Sequence, residues 1–278
     1  MTTTERATFA QQFRITAERN NSLLCVGLDP DPTKIPAGVT TREFLFGLVD
    51  ATRDVVCVYK PNIAFYEPDL AEGITLLRDL IAYIHTAGSR GDGVPVLLDA
   101  KRGDIGHTAE AYARAVYDSL GADAVTVNPY LGQDSLEPFL RRPDRTAFLL
   151  CRTSNPGARD LQDMEVEGHP LYERVAYLAN QWNGYDNVGL VVGATYPEEA
   201  RRIREICPDL PFLMPGVGAQ DGEVARAVQA AIDADGAGIL VNASRGVMYA
   251  PAEDGRWADA SRRAAESLRD QINAARAR

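Results

Sequence analysis

Val94-Pro95-Val96-Leu97-Leu98-Asp99-Ala100-Lys101-Arg102-Gly103-Asp104-Ile105 joins an apolar, strand-like run to a dense set of charges. Side chains two apart on a regular strand share a face, so the spacing predicts Asp99 and Lys101 on the side of Leu97, with Leu98 and Ala100 opposite. A carboxylate and an ammonium are thereby aimed into one small space where the strand runs out. Burying charge costs roughly several kcal/mol per ion unless partners compensate it, so such a cluster marks a candidate reactive site. An isolated Asp-x-Lys is more often a surface ion pair, and the motif needs its surroundings to be decisive.

Those surroundings repeat. Apolar runs also occur at 23–29, 55–60, 124–128, 146–152, 188–195, 211–215 and 238–244, most of them rich in Val, Leu and Ile and several apolar throughout, as strands covered on both faces are. Segments of helical period lie between them. Ile74, Leu77, Ile81 and Ile84 mark one helix, Leu171, Val175, Leu178 and Trp182 a second, Pro197 opens a third, and a last helix runs from about Trp257 onward. Eight strand–helix units without a break in composition read as an α/β protein, a single (β/α)8 TIM barrel over residues 1–278, with a doubly wound open sheet as the alternative. Thr2 and Glu5 are placed to form a capping box for an extra N-terminal helix carrying Phe9 and Phe13, which would cover the barrel's bottom. Residues 153–169 are the longest stretch without a secondary-structure signal and would lie over the active face as a lid.

Composition narrows the function. The chain has 278 residues, 45% of them apolar, and a net charge of -10. That balance argues against non-specific binding to nucleic acid or to an anionic membrane. Residues 1–20 are polar and lack the apolar core of a signal peptide, and no run approaches about 18 apolar residues, which predicts a cytoplasmic protein. Cys25, Cys57, Cys151 and Cys207 show no Cys-x-x-Cys spacing and read as reduced core thiols. His85, His107 and His169 form no ligand motif, so a histidine-based metal site is not expected.

On a barrel, sequential strands are neighbours, so Asp29, Lys60, Asp99 and Lys101, at the ends of strands 1, 2 and 3, should form one alternating array at the C-terminal face. Asp104 lies beyond strand 3 and need not point into its own barrel. The loops after strands 7 and 8 are the usual phosphate site of this fold. Here they read Pro215-Gly216-Val217-Gly218-Ala219-Gln220 and Asn242-Ala243-Ser244-Arg245-Gly246. Their glycines admit an anion to the backbone N–H groups, and Arg245 can bind it bidentately. Taken singly, the Gly-x-Gly is more often a plain turn, Arg245 can be a solvated loop charge, and Asp163, Glu165 and Glu167 read as a solvated loop face. The conjunction across five strands argues for a substrate with a phosphate at one end and its reacting centre near the Asp/Lys array.

At these residues the chain resembles the orotidine 5'-phosphate decarboxylase family, in the wording of its longer bacterial members. The family's Asp-x-Lys-x-x-Asp motif stands here as Asp99, Lys101 and Asp104, followed by Ile105 and Thr108. Further matches are Leu28-Asp29-Pro30, Tyr59-Lys60-Pro61-Asn62, Val127-Asn128-Pro129-Tyr130, Thr153-Ser154-Asn155-Pro156-Gly157, and the loops 216–220 and 242–246. The resemblance covers nearly the whole chain. It implies conversion of orotidine 5'-phosphate to UMP and carbon dioxide, the last step of de novo UMP synthesis, by a homodimer with no cofactor and no metal. It implies that Asp29 and Lys60 bind ribose hydroxyls, that Asp99 sits close to the substrate carboxylate, and that Lys101 protonates C6 as carbon dioxide leaves. Asp104, Ile105 and Thr108 would complete the partner's site, Ser154 would contact the pyrimidine, and Gln220 and Arg245 would hold the phosphate. After Gln220 the sequence turns quickly helical, so the phosphate loop is shorter than in many relatives. His107 is expected to be a packing or surface residue.

Two rivals remain. Metal-dependent sugar-phosphate decarboxylases and aldolase-like synthases share the barrel and the motif but resemble one another in a carboxylate at the end of strand 2, where this chain has Lys60; an ammonium cannot ligate Mg²⁺. A non-catalytic, nucleotide-sensing barrel would have no use for so costly a charge cluster.

Overall fold

Each apolar run forms a strand. The computed structural model describes residues 7–87, 93–216, 221–252 and 255–277. Its strands 1 to 8 are Leu24–Leu28, Val58–Pro61, Leu97–Arg102, Ala124–Val127, Thr146–Arg152, Val188–Val192, Phe212–Met214 and Ile239–Ala243. Neighbours in the order 2-1-8-7-6-5-4-3 are hydrogen-bonded and parallel. The two ends of that order meet through parallel bridges, Tyr59 with Val96 and Asn62 with Asp99, and the Tyr59 N–H donates to the Pro95 carbonyl at 3.1 Å. An open sheet would leave two edges unpaired, so these contacts decide for the barrel. Strands 1 and 6 are buried at every residue, which explains their unbroken apolar runs.

Helices follow the strands, as their sequence signals require. Thr40 caps Thr41–Thr52 by accepting the Glu43 N–H, while Glu43 accepts the Thr40 N–H. Leu70–Thr86 buries Leu77, Ile81 and Ile84 of the expected face together with Leu80, while Ile74 is only partly buried. Leu171–Trp182 differs from its expected face: Tyr172, Glu173, Ala176 and Ala179 are buried, and Leu171, Val175, Leu178 and Trp182 only partly so. The alanines allow close approach, which turns the larger residues to the flanks of the contact.

The N-terminal helix is Phe9–Arg19. Thr2 and Glu5 lie outside the described residues; the capping box is formed by Thr8 and Gln11 instead. Phe9 meets the Phe148 ring edge-on at 5.7 Å. Phe148 fills the space that Gly189 of strand 6 leaves, where a Cβ would lie 2.5 Å from the ring. The helix therefore closes the barrel from below, as expected. Near the starts of strands 7 and 8, the partly buried Arg204 guanidinium stacks 3.7 Å from the Phe212 ring centre and donates to the carbonyls of Cys207, Pro208, Leu210, Ala231 and Gly238. That leaves the C-terminal strand ends free for chemistry.

Candidate active site

Strands 2, 3 and 4 bring four polar side chains onto one carboxylate. Asp99 Oδ1 accepts from Lys101 Nζ at 2.7 Å and from Thr126 Oγ1 at 2.8 Å. Its Oδ2 accepts from Lys60 Nζ at 3.2 Å and from Asn62 Nδ2 at 3.4 Å. Lys60 is buried, whereas the Lys101 side chain is half-exposed. Asp29 joins from strand 1's end, its Oδ1 accepting the Asn62 N–H at 3.1 Å. The predicted alternating array is present.

The electrostatics follow from this arrangement. Burial pushes the Asp99 carboxyl up, but Lys60, Lys101 and the hydrogen bonds from Lys101 and Thr126 outweigh it and hold the group at about 2, below the usual 3.8. Burial alone would lower the Lys60 ammonium, yet the Asp99 and Asp29 carboxylates raise it above its ordinary value. Beneath them, burial pushes the Cys25 thiol up to about 12 and keeps it neutral. A depressed carboxyl contributes stability that is complete above its unfolded pKa and disappears as pH falls through the folded one. Asp99 is thus expected to contribute about 2 kcal/mol above pH 4 that is lost toward pH 2. Urea unfolding of wild type and Asp99→Asn should show their stability gap narrowing across that window, and a constant gap would count against it.

The geometry of strand 3 departs from simple alternation. Its register against strand 4 shifts between Leu98 and Arg102, and Lys101 has φ +46°, a left-handed conformation rarely taken by a side-chain-bearing residue. The bulge, and not period-two alternation, presents Lys101 to Asp99.

The other candidates are distributed around the rim. Asp104 accepts the N–H of its neighbour Ile105 at 2.8 Å and, among the described residues, makes no bond to the array. Ile105 and Thr108 are exposed beside it, and His107 is a surface residue. Arg245 is exposed at the start of the short helix Arg245–Met248. That helix and the following residue grip Asp29: Met248 Sδ accepts the Asp29 N–H at 3.2 Å, and the Tyr249 hydroxyl donates to the Asp29 carbonyl at 3.4 Å. Gln220 and the rest of 217–220 lie outside the described residues. Ser154 packs where strands 6 and 7 leave room, since a Cβ on Gly193 or Gly216 would come within 2.9 Å or 3.3 Å of it.

The stretch 153–169 is not structureless. It contains a 3₁₀ turn, Pro156–Asp160, and pairs Glu165–Val166 with His169–Pro170. Buried Arg152 anchors it, 3.2 Å from Asp163 and 4.0 Å from the Tyr196 ring centre, and Gln162 clamps Thr153 through two hydrogen bonds. Asp163 is exposed, as the solvated-face reading expects, and in addition pairs with Arg152. Glu165 and Glu167 are exposed, as expected. Asn62, Thr126 and Arg152 were not predicted to act at the site. A hydroxyl in an otherwise apolar strand, and a cation ending one, were the available signals, because buried polar groups need partners.

His85 bonds Asp123 at 2.7 Å and His169 lies 3.4 Å from Glu173, so both serve local pairs. The four cysteines are free and buried. Among the described residues, no three His, Cys, Asp or Glu side chains form a metal-ligating group, and no helix is long and apolar enough to cross a membrane.

Known proteins share this architecture. A curated protein of Ralstonia nicotianae named orotidine 5'-phosphate decarboxylase is 50% identical over 271 residues, 95% of this chain and 98% of the relative. One of Dechloromonas aromatica with the same name is 51% identical over 272 residues, covering 96% and 98%. The solved structure of Leishmania donovani OMP decarboxylase superposes with a TM-score of 0.85 at 42% identity, covering 98% of this chain and 99% of that one. Residues 22–259 match the family model described as orotidine 5'-phosphate decarboxylase / HUMPS. With that match spanning the barrel and its charged strand ends, the chain belongs to the orotidine 5'-phosphate decarboxylase / HUMPS family.

Proposed function

We propose that the chain converts orotidine 5'-phosphate to UMP and carbon dioxide, using its own side chains and no metal or organic cofactor. One observation carries this choice within the family: the strand-2 residue facing Asp99 is the buried ammonium of Lys60, 3.2 Å away. A cation there repels Mg²⁺ and cannot ligate it, which disfavours the metal-dependent sugar-phosphate reactions. The buried Lys60–Asp99 pair at the centre of the charge array likewise disfavours a mere nucleotide sensor.

The residues divide the work. Loss of carbon dioxide leaves an electron pair at C6 with little resonance help. Lys101, half-exposed at the open end, stabilises that charge as it develops and delivers the proton. Asp99 places negative charge beside the departing carboxylate, a repulsion relieved on its loss. Asp29 and Lys60 take the ribose hydroxyls, Ser154 the pyrimidine, and Arg245 with Gln220 the phosphate. The bonds from the 248–249 segment to Asp29 support a coupling of phosphate and ribose recognition.

The chain is read as one barrel domain over 1–278. Supporting this, its last helix ties back through Arg262 to Asp54 and through Asn273 to the Asn21 carbonyl. The free cysteines suit a cytoplasmic setting. Exposed Ile105, Tyr130 and Leu131, on the loops after strands 3 and 4, support a homodimer in which Asp104, Ile105 and Thr108 complete the partner's site.

The test is the absorbance change of orotidine 5'-phosphate with purified protein and EDTA. Metal-free conversion to UMP is expected. Loss of activity in EDTA would favour the metal-dependent reaction, and tight UMP binding without turnover would favour the sensor.

A further inference from the structure

We propose that Thr126 is a positioning residue for Lys101: its hydroxyl holds the strand-3 bulge that aims the ammonium, an inference that rests on the catalytic reading of Lys101 above. Thr126 Oγ1 accepts the backbone N–H groups of Ala100 and Lys101, each at 3.0 Å. Both are donors only, so the single hydroxyl hydrogen goes to Asp99 Oδ1 at 2.8 Å. A hydroxyl offers one donor and two acceptor sites, and all three are used. Thr126 is buried, 1% exposed.

Each bond has a distinct consequence. The two accepted N–H groups belong to the peptides on either side of Ala100, where the ladder to strand 4 is interrupted between Leu98 and Arg102. Without the hydroxyl, two partly buried N–H donors lose their acceptor, and the backbone that carries Lys101 at φ +46° loses two of its restraints. The third bond turns the carboxylate so that Oδ1 also meets Lys101 Nζ at 2.7 Å. Thr126 thus fixes both the backbone from which the ammonium projects and the anion it rests on. Displacing a reacting group by about 1 Å can cost about 100-fold in rate.

The test compares Thr126→Val, Thr126→Ser and Thr126→Cys with wild type and Lys101→Ala, measuring kcat, KM and UMP affinity. Valine keeps the shape and removes all three bonds; kcat is expected to fall about 100-fold while KM and UMP affinity change less than about threefold. Serine restores the hydroxyl without the methyl and should lie within about threefold of wild type. Cysteine, a weak donor and acceptor, should fall between them, and this order tests the idea even if the valine protein does not fold. A serine protein as impaired as the valine or cysteine protein, or parallel losses of kcat and UMP affinity, would mean that packing is what matters and would overturn the inference. Full activity in the valine protein beside an inactive Lys101→Ala overturns it alone. Full activity in Lys101→Ala itself overturns the catalytic reading and this inference with it.

Discussion

Replacing Lys101 with alanine is expected to lower kcat for orotidine 5'-phosphate by about 10⁴-fold or more, while the protein keeps its fold and still binds UMP. Two contributions vanish together. A positioned proton donor is worth about 10²- to 10⁴-fold, and a preorganised charge at the developing carbanion about 10²- to 10³-fold. Because one ammonium supplies both, they do not multiply freely, and the expectation stays near the upper single value. Stability should change little. The Lys101 side chain is 50% exposed, its removal leaves no closed cavity, and Asp99 retains Lys60, Asn62 and Thr126. Single-turnover absorbance kinetics, with thermal unfolding as control, would check this. A variant within about tenfold of wild type would mean that another group supplies the proton.

The barrel was legible because its strands are covered on both faces, so apolar runs as short as those of strands 4 and 6 stand out from amphipathic helical segments. Closure was inferred from the number of units and rests physically on the bridges between strands 2 and 3. What stayed hidden is local. Tyr172, Ala176 and Ala179 bury a face of Leu171–Trp182 one residue away from the one marked by large apolar side chains. Periodicity weights bulk, whereas close packing on a barrel wall selects small residues. The capping box at Thr8 and Gln11 shows the same limit, since several hydroxyl-containing starts compete and tertiary contacts such as Phe9 on Phe148 choose among them.

The site was legible at the strand ends, where fold geometry alone places Asp29, Lys60 and Asp99 around one space. Lys101 arrived there for a different reason than the one read from the sequence. Period-two alternation predicts its side, but φ +46° and the register shift show that a bulge delivers it. Nothing in the string Asp99-Ala100-Lys101 announces that bulge, because the group that captures its N–H donors is Thr126 on the next strand. The same holds for Arg152, whose fully buried guanidinium needs Asp163 and Gln162 from a loop that looks solvated in sequence. Partners distant along the chain convert apparent surface residues into structural ones.

Removing the charge of Asp99 should separate stability from catalysis. In Asp99→Asn the shape is kept, but Lys60, only 5% exposed, loses the anion at 3.2 Å that balances its burial. Breaking a buried pair from one side costs about 3 to 5 kcal/mol; Asp29 still acts on Lys60, which places the expected loss near the lower figure. Urea unfolding at neutral pH reads it directly. On the reaction, two ammonium groups without their shared carboxylate form a welcoming site for the substrate's own carboxylate. Ground-state binding should therefore tighten or stay unchanged, while kcat falls about 10³-fold, since the repulsion is gone and a carboxylate held by two cations is slower to leave as neutral carbon dioxide. Lower kcat with lower KM is the signature of ground-state repulsion removed, whereas a raised KM would show that Asp99 acts mainly by holding the lysines in place.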